Sequence, residues 1–283
     1  MAKRLLSAAI AIPIGLVVVI LNNELVYYIA MTLLSVMAVY ELLMATKYLK
    51  NKLLSALSLV FVAIIPFVYW IDALRQHVKL FYLCFIILLA FTMIIKHERV
   101  KFEQVALVSF VSLAIPLALN TLSFIRTNFP QHAMFYIVYI MLSVWVGDAG
   151  AYFVGTFLGK HKMCPKISPK KTWEGFVGGI VTTGVVAFIS CFVYELIDSA
   201  INNGVHTFSV NYPYLVGLSL VLSVLGVLGD LSASLIKREC SVKDFGNILP
   251  GHGGVLDRFD SVLFAAPFAY MLFQMFAPIT QII

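Results

Sequence analysis

Residues 78–95 read VKLFYLCFIILLAFTMII, and after Lys79 the next 16 residues carry no charge. A helix rises about 1.5 Å per residue and the hydrocarbon layer of a bilayer is about 30 Å thick, so a run of this length and character reads as a transmembrane helix. Runs of the same kind recur at about 5–21, 25–45, 53–71, 105–125, 133–158, 173–197, 212–236 and 259–283. The whole chain of 283 residues is 61% hydrophobic and only 12% charged, with a mean hydropathy of +0.95. Soluble domains carry about 45–50% apolar and 25% charged residues, so the reading is an all-α, polytopic membrane protein with about nine transmembrane helices. The basic, apolar N-terminus resembles a signal peptide, but its run is long enough to span and others follow, so it reads as a retained first helix. Pro13, Pro66 and Pro116 fall inside spans, where neighbouring helices accommodate kinks. The four cysteines show no paired spacing and read as reduced packing residues.

Cytoplasmic loops close to spans accumulate Lys and Arg. With the N-terminus placed in the cytoplasm, all of the 20 basic residues except Arg75, Lys79 and Arg126 fall on one side. Nine helices with a cytoplasmic N-terminus and an outer C-terminus give that asymmetry, whereas a missed span would scramble it. The net charge of +6 is accounted for by this rule together with attraction to anionic headgroups. It does not point to nucleic acid.

Chemistry concentrates after residue 132. Residues 1–132 supply five spans nearly free of charge and read as a membrane scaffold, whereas 133–283 hold four spans and two charged cytoplasmic loops and read as the catalytic region. In SVWVGDAGAYFVGTFLGK (143–160), Asp148 sits deep in an apolar helix, a costly place for a carboxylate unless it is paired, hydrated or metal-bound. Gly147, Gly150, Gly155 and Gly159 around it allow another helix to approach closely. In SPKKTWEG (168–175), Lys170, Lys171 and Thr172 precede a helix start near Trp173, a combination suited to phosphate. Solvated loop lysines are the plain alternative. From 227 to 260 the chain reads VLGDLSASLIKRECSVKDFGNILPGHGGVLDRFD. Asp230, Ser234 and Lys237 share one helical face, Asp257 and Asp260 follow at i and i+3, and His252, Gly253 and Gly254 lie between. Carboxylates beside Lys and Arg suit a divalent cation holding a polyphosphate, with solvated loop ion pairs as the alternative. A transporter would spread its acids along a path across the bilayer rather than gather them at one face.

Residues 234–260 resemble the signature of the phosphatidate cytidylyltransferases (CDP-diacylglycerol synthases): Ser234, Lys237-Arg238, Lys243-Asp244, the Leu-Pro pair at 249–250, His252-Gly253-Gly254, Asp257-Arg258 and Asp260. GDAGAY, GKHK, SPKKTWEG and LGDLSAS are also similar to that family. The resemblance implies transfer of a cytidylyl group from CTP to phosphatidic acid, with Mg2+, at the cytoplasmic face of the inner membrane. It implies metal binding by Asp230 and Asp257, with Asp260 and Asp244 as further ligands and Asp148 in support. It implies that Lys237, Arg238, Lys243 and Arg258 hold the triphosphate or the lipid headgroup, that Ser234 and His252 position it, and that Lys170, Lys171 and Thr172 bind substrate phosphate. It also admits a homodimer through the early spans, for which no residue argues. The nearest competing reading is a CTP-dependent lipid (polyprenol) kinase, which would transfer the γ-phosphate instead. The DGxxAR spacing of the CDP-alcohol phosphotransferases is absent.

Overall fold

The computed structural model describes residues 15, 17, 18, 20, 21, 23–247 and 253–282. Seven helices among them are long and apolar enough to cross a membrane. They are α1 (Glu24–Ala45), α2 (Lys52–Trp70), α3 (Val78–Ile95), α4 (Phe102–Asn128), α5 (Ala133–Phe157), α6 (Trp173–Ile201) and α7 (Tyr212–Glu239). A shorter helix, α8, spans Val262–Met275. The expected first span lies largely outside the described residues. The chain forms two compact units: residues 1–128 with 236–259, and 129–235 with 260–283. These units are defined by packing, whereas the sequence division at residue 132 concerns chemistry.

In the first unit, α1 begins where the Asn23 side chain accepts the amide of Val26. It buries Tyr27, Tyr28, Met31, Val39 and Leu42 against α2 and α4. Within the apolar packing, some polar side chains find local partners, which matters where no water is present to satisfy them. The Ser58 and Ser112 hydroxyls bond across α2 and α4 at 2.6 Å, and buried Asn120 donates to the carbonyl of Pro116, the proline in the middle of α4. By contrast α3, the stretch that decides the fold, buries only Phe85, Leu89 and Thr92 and exposes Phe91, Ile94 and Ile95. With hydrocarbon as the surrounding solvent, such a surface carries no penalty.

In the second unit, α5 and α6 make the most extensive helix pair, and the small residues foreseen in the sequence are its contact surface. A Cβ on Gly179 would sit 2.7 Å from the carbonyl oxygen of Gly147 and 3.1 Å from the Cβ of Ala151. Gly179→Val is therefore expected to destabilise by about 1–3 kcal/mol, the cost of overpacking, and to lower the melting temperature in detergent. Gly217→Val on α7, where nothing lies within 4 Å, is expected to leave it unchanged. Tyr139 on α5 donates to the carbonyl of Leu215, and Tyr214 on α7 donates to that of Leu272 on α8, tying these helices together.

Two small antiparallel sheets complete this unit: β1 (Lys162–Cys164) with β2 (Ser168–Thr172), and β3 (Phe208–Val210) with β4 (Ile279–Gln281). The second one corrects the boundary of the last apolar run. A continuous span over 259–283 was expected, but the helix stops at Met275, Phe276 turns extended, and Pro278, which cannot continue a helix, offers its carbonyl to the amide of Asn211. At about 1.5 Å per residue the 14-residue α8 is about 21 Å long, short of the hydrocarbon thickness. The β3–β4 pairing brings the C-terminal segment to the same end of the unit as the α6–α7 connection. Glu195 and Asp198 are staples at this end. Glu195 accepts the amide of Val210 and the hydroxyl of Tyr212, and Asp198 accepts from Asn202 and Thr207.

Candidate active site

The second unit gathers one charged cluster. Extended backbone in β2 turns successive side chains to opposite faces, so Lys170 is exposed while Lys171 points inward. Thr172, buried, ends the strand and starts α6 by accepting the amide of Gly175 on its hydroxyl. The Lys171 ammonium reaches Asp230 on α7 at 2.5 Å, with side-chain exposures of 22% and 30%. Its nitrogen is buried and, beyond this ion pair, has no hydrogen-bond acceptor among the described residues. Asp148 on α5 lies within Coulombic range of both Asp230 and Lys171. Ser261 closes the group: its hydroxyl stands 3.5 Å from Asp148 and 3.3 Å from buried Asp260, which also accepts the Ser261 amide at 2.7 Å. Gly229 lets α7 lie against this turn, since a Cβ there would meet the Asp260 carbonyl oxygen at 2.5 Å. Ser234 is buried one turn further along α7.

The first unit holds another cluster, formed by the last turn of α7 and the segment that follows it. Lys237 donates to Asp257 Oδ1 at 2.8 Å, and both side chains are nearly enclosed, at 12% and 5% exposure. The other oxygen, Oδ2, accepts the amides of Phe245 at 2.9 Å and Gly254 at 3.0 Å. The Lys237 ammonium also lies 5.4 Å from the centre of the Phe245 ring, within cation–π range. Gly253 takes φ +83°, a left-handed conformation natural to glycine, and a Cβ there would press on Asp257 Oδ2 at 3.2 Å. Arg238, Lys243, Asp244 and Arg258 are exposed around this turn. His252 lies outside the described residues.

Two carboxylates within Coulombic range of one lysine, as Asp148 and Asp230 are of Lys171, form a set of hard oxygen donors. That donor set fits a magnesium ion, which commonly takes one or two protein carboxylates and fills its remaining positions with water and phosphate. Asp257 is engaged by Lys237 and two amides, Asp260 by Ser261 and Asp230 by Lys171, while Asp244 is exposed; Asp148 and Asp230 are the two carboxylates of the expected set that share one lysine.

The sequence matches a known family. The sequence model of the Cytidylyltransferase family matches residues 2–276. The chain belongs to the cytidylyltransferase family. Among this member's relatives is a phosphatidate cytidylyltransferase of Bacillus subtilis (strain 168), 38% identical over 283 residues that cover 98% of this chain and 99% of the relative. Another, from Staphylococcus aureus (strain COL), is 35% identical over 276 residues, 96% and 98% of the two chains. A third, from Haemophilus influenzae, is 43% identical over 142 residues, half of this chain.

Sequence reasoning missed two residues of this family member. Ser261 joins Asp148 to Asp260, and nothing in its neighbourhood marks it. Glu41 is wholly buried on α1 and bonds to the turn that carries Asp257. Its signal was present, since it is a carboxylate within an apolar run, the same feature that singled out Asp148.

Proposed function

We propose that the protein transfers the cytidylyl group of CTP to phosphatidic acid, giving CDP-diacylglycerol and pyrophosphate. The single observation that carries this reading is the Lys171 ammonium, its nitrogen buried, paired with Asp230 at 2.5 Å and within Coulombic range of Asp148. A buried cation with open donors calls for an anionic guest, and the neighbouring carboxylates call for a cation to accompany it. A nucleoside triphosphate with magnesium supplies both. Family membership and the phosphatidate cytidylyltransferase relatives point to the same chemistry.

The acceptor phosphate is an anion at neutral pH and can attack the α-phosphorus of CTP without a general base, so catalysis reduces to positioning and charge stabilisation. Asp148 and Asp230 would hold a magnesium ion, which when bound would supply charge neutralisation to the triphosphate. Lys171 binds a phosphate oxygen. In the first unit Lys237, fixed by Asp257, offers its ammonium to a substrate phosphate. Arg238, Lys243 and Arg258, exposed beside it, meet the triphosphate or the lipid headgroup, with Ser234, His252, Gly253 and Gly254 shaping the approach and Lys170 serving as an outer contact. The positive-inside pattern supports a site at the cytoplasmic headgroups of the cell membrane, where CTP arrives from water and phosphatidic acid from the leaflet. The reading assigns the chemistry to the region after residue 132, with the earlier helices as its scaffold.

Purified protein in micelles containing phosphatidic acid, CTP and Mg2+ is expected to release pyrophosphate. Omitting the lipid, or chelating the metal with EDTA, is expected to bring release to background. Release that continues without phosphatidic acid would overturn the reading.

A further inference from the structure

Glu41 belongs to the helices that the sequence casts as scaffold, yet it has no exposed surface. Each of its carboxylate oxygens accepts one backbone amide, Oε1 from Val255 and Oε2 from Leu256, both at 2.9 Å and more than 200 residues away in the chain. A buried carboxylate is expensive unless its oxygens are satisfied, and here consecutive amides of one turn satisfy both. The carboxylate also lies directly on Gly246 and Gly254. A Cβ on Gly246 would stand 2.5 Å from Oε1, and one on Gly254 would collide with Oε2.

These backbone segments are the ones that hold Asp257. The Gly254 amide and the Phe245 amide, next to Gly246, both donate to Asp257 Oδ2, leaving Oδ1 for Lys237. Glu41 and Asp257 thus grip the same two strands of turn, and the two carboxylates lie within Coulombic range of each other. The amide dipoles between them carry the stabilisation that offsets that repulsion.

We infer that Glu41 is a positioning residue for the reaction: by fixing the amides of the 254–256 turn it sets the orientation of Asp257 and, through it, of the Lys237 ammonium. The inference rests on the proposed cytidylyl transfer. It accounts for a carboxylate at this place, because two convergent N–H donors need two acceptor oxygens. Glutamine has the same shape but offers one oxygen and one NH2 group, which would face an amide donor to donor.

Glu41→Gln is therefore the test, assayed in detergent with phosphatidic acid, CTP and Mg2+ and normalised to folded protein. The expected result is a fall in kcat of roughly tenfold or more with KM for CTP changed less than about threefold, the pattern of a lost transition-state interaction. Combined with Asp257→Asn, it is expected to lower kcat by no more than about threefold beyond Asp257→Asn alone, because the two act through one group. Leu119→Ala, a core change on α4 remote from the turn, is expected to lower the melting temperature while leaving kcat of the folded enzyme unchanged. A Glu41→Gln enzyme with wild-type kcat, or losses that multiply in the double variant, would overturn the inference. Inactivity of the wild type would instead refute the functional reading on which it rests.

Discussion

Asp257→Asn is expected to lower kcat by about 10²–10³-fold, the size of effect that follows removal of one preorganised charged or hydrogen-bonding group from a water-poor site. The carboxylate accepts three hydrogen bonds, one from Lys237 and two from backbone amides, and only 5% of its side chain is exposed. Asparagine fits the space but offers a single acceptor oxygen. If that oxygen faces the amides, the NH2 group meets the Lys237 ammonium; if it faces Lys237, the NH2 group meets two N–H donors. Either way Lys237 loses its countercharge in an enclosed place, and breaking such a pair costs about 3–5 kcal/mol in stability. The melting temperature should therefore fall together with kcat, and both are measurable on the same purified sample by thermal scanning and pyrophosphate release. Retention of kcat within about threefold of wild type would remove Asp257 from the account.

The second large effect is expected at Asp230. Asp230→Asn is expected to raise the Mg2+ concentration for half-maximal activity at least about tenfold, and to lower kcat at saturating metal. A change beside a metal site commonly costs about 10–100-fold in affinity or activity, and a direct ligand no less. Lys171→Met provides the contrast. It removes a positive charge beside Asp148 and Asp230, so the Mg2+ midpoint should stay or fall, while kcat and the affinity for CTP decline because the buried ammonium no longer meets a phosphate. Titrating Mg2+ for both variants separates the roles. An unchanged midpoint in Asp230→Asn would place the metal elsewhere.

The spans were legible because hydropathy reports directly on a lipid surround. The runs at 78–95 and 133–158 correspond to helices ending within one residue of the expected bounds, and α6 begins at Trp173 as the capping pattern suggests. The last run misled for the same reason: apolar composition continues to the end of the chain, but Pro278 and the pairing of β4 with β3 stop the helix, and hydropathy is blind to both. At the site, residue types and spacing single out Asp230, Lys237 and Asp257 as candidates. They could not say which charges meet. Lys170 and Lys171 are equivalent as letters, and only the extended backbone of β2 sends one outward and the other to Asp230. Asp230 and Lys237 share one helical face, yet each takes a partner from a distant segment, Lys171 in one case and Asp257 in the other. The role of Glu41 was hidden most completely, because its partners are backbone amides more than 200 residues away and backbone amides have no letter in a sequence.

The central claim is that the α-phosphorus of CTP is transferred to a lipid phosphate. The most direct measurement supplies purified protein, in micelles with phosphatidic acid and Mg2+, with CTP radiolabelled on either the α- or the γ-phosphate and follows the label into the lipid fraction. Cytidylyl transfer predicts that α-label enters the lipid, while γ-label appears only in released pyrophosphate. Lipid carrying γ-label, with CDP as the soluble product, would contradict the account and establish a lipid kinase in its place.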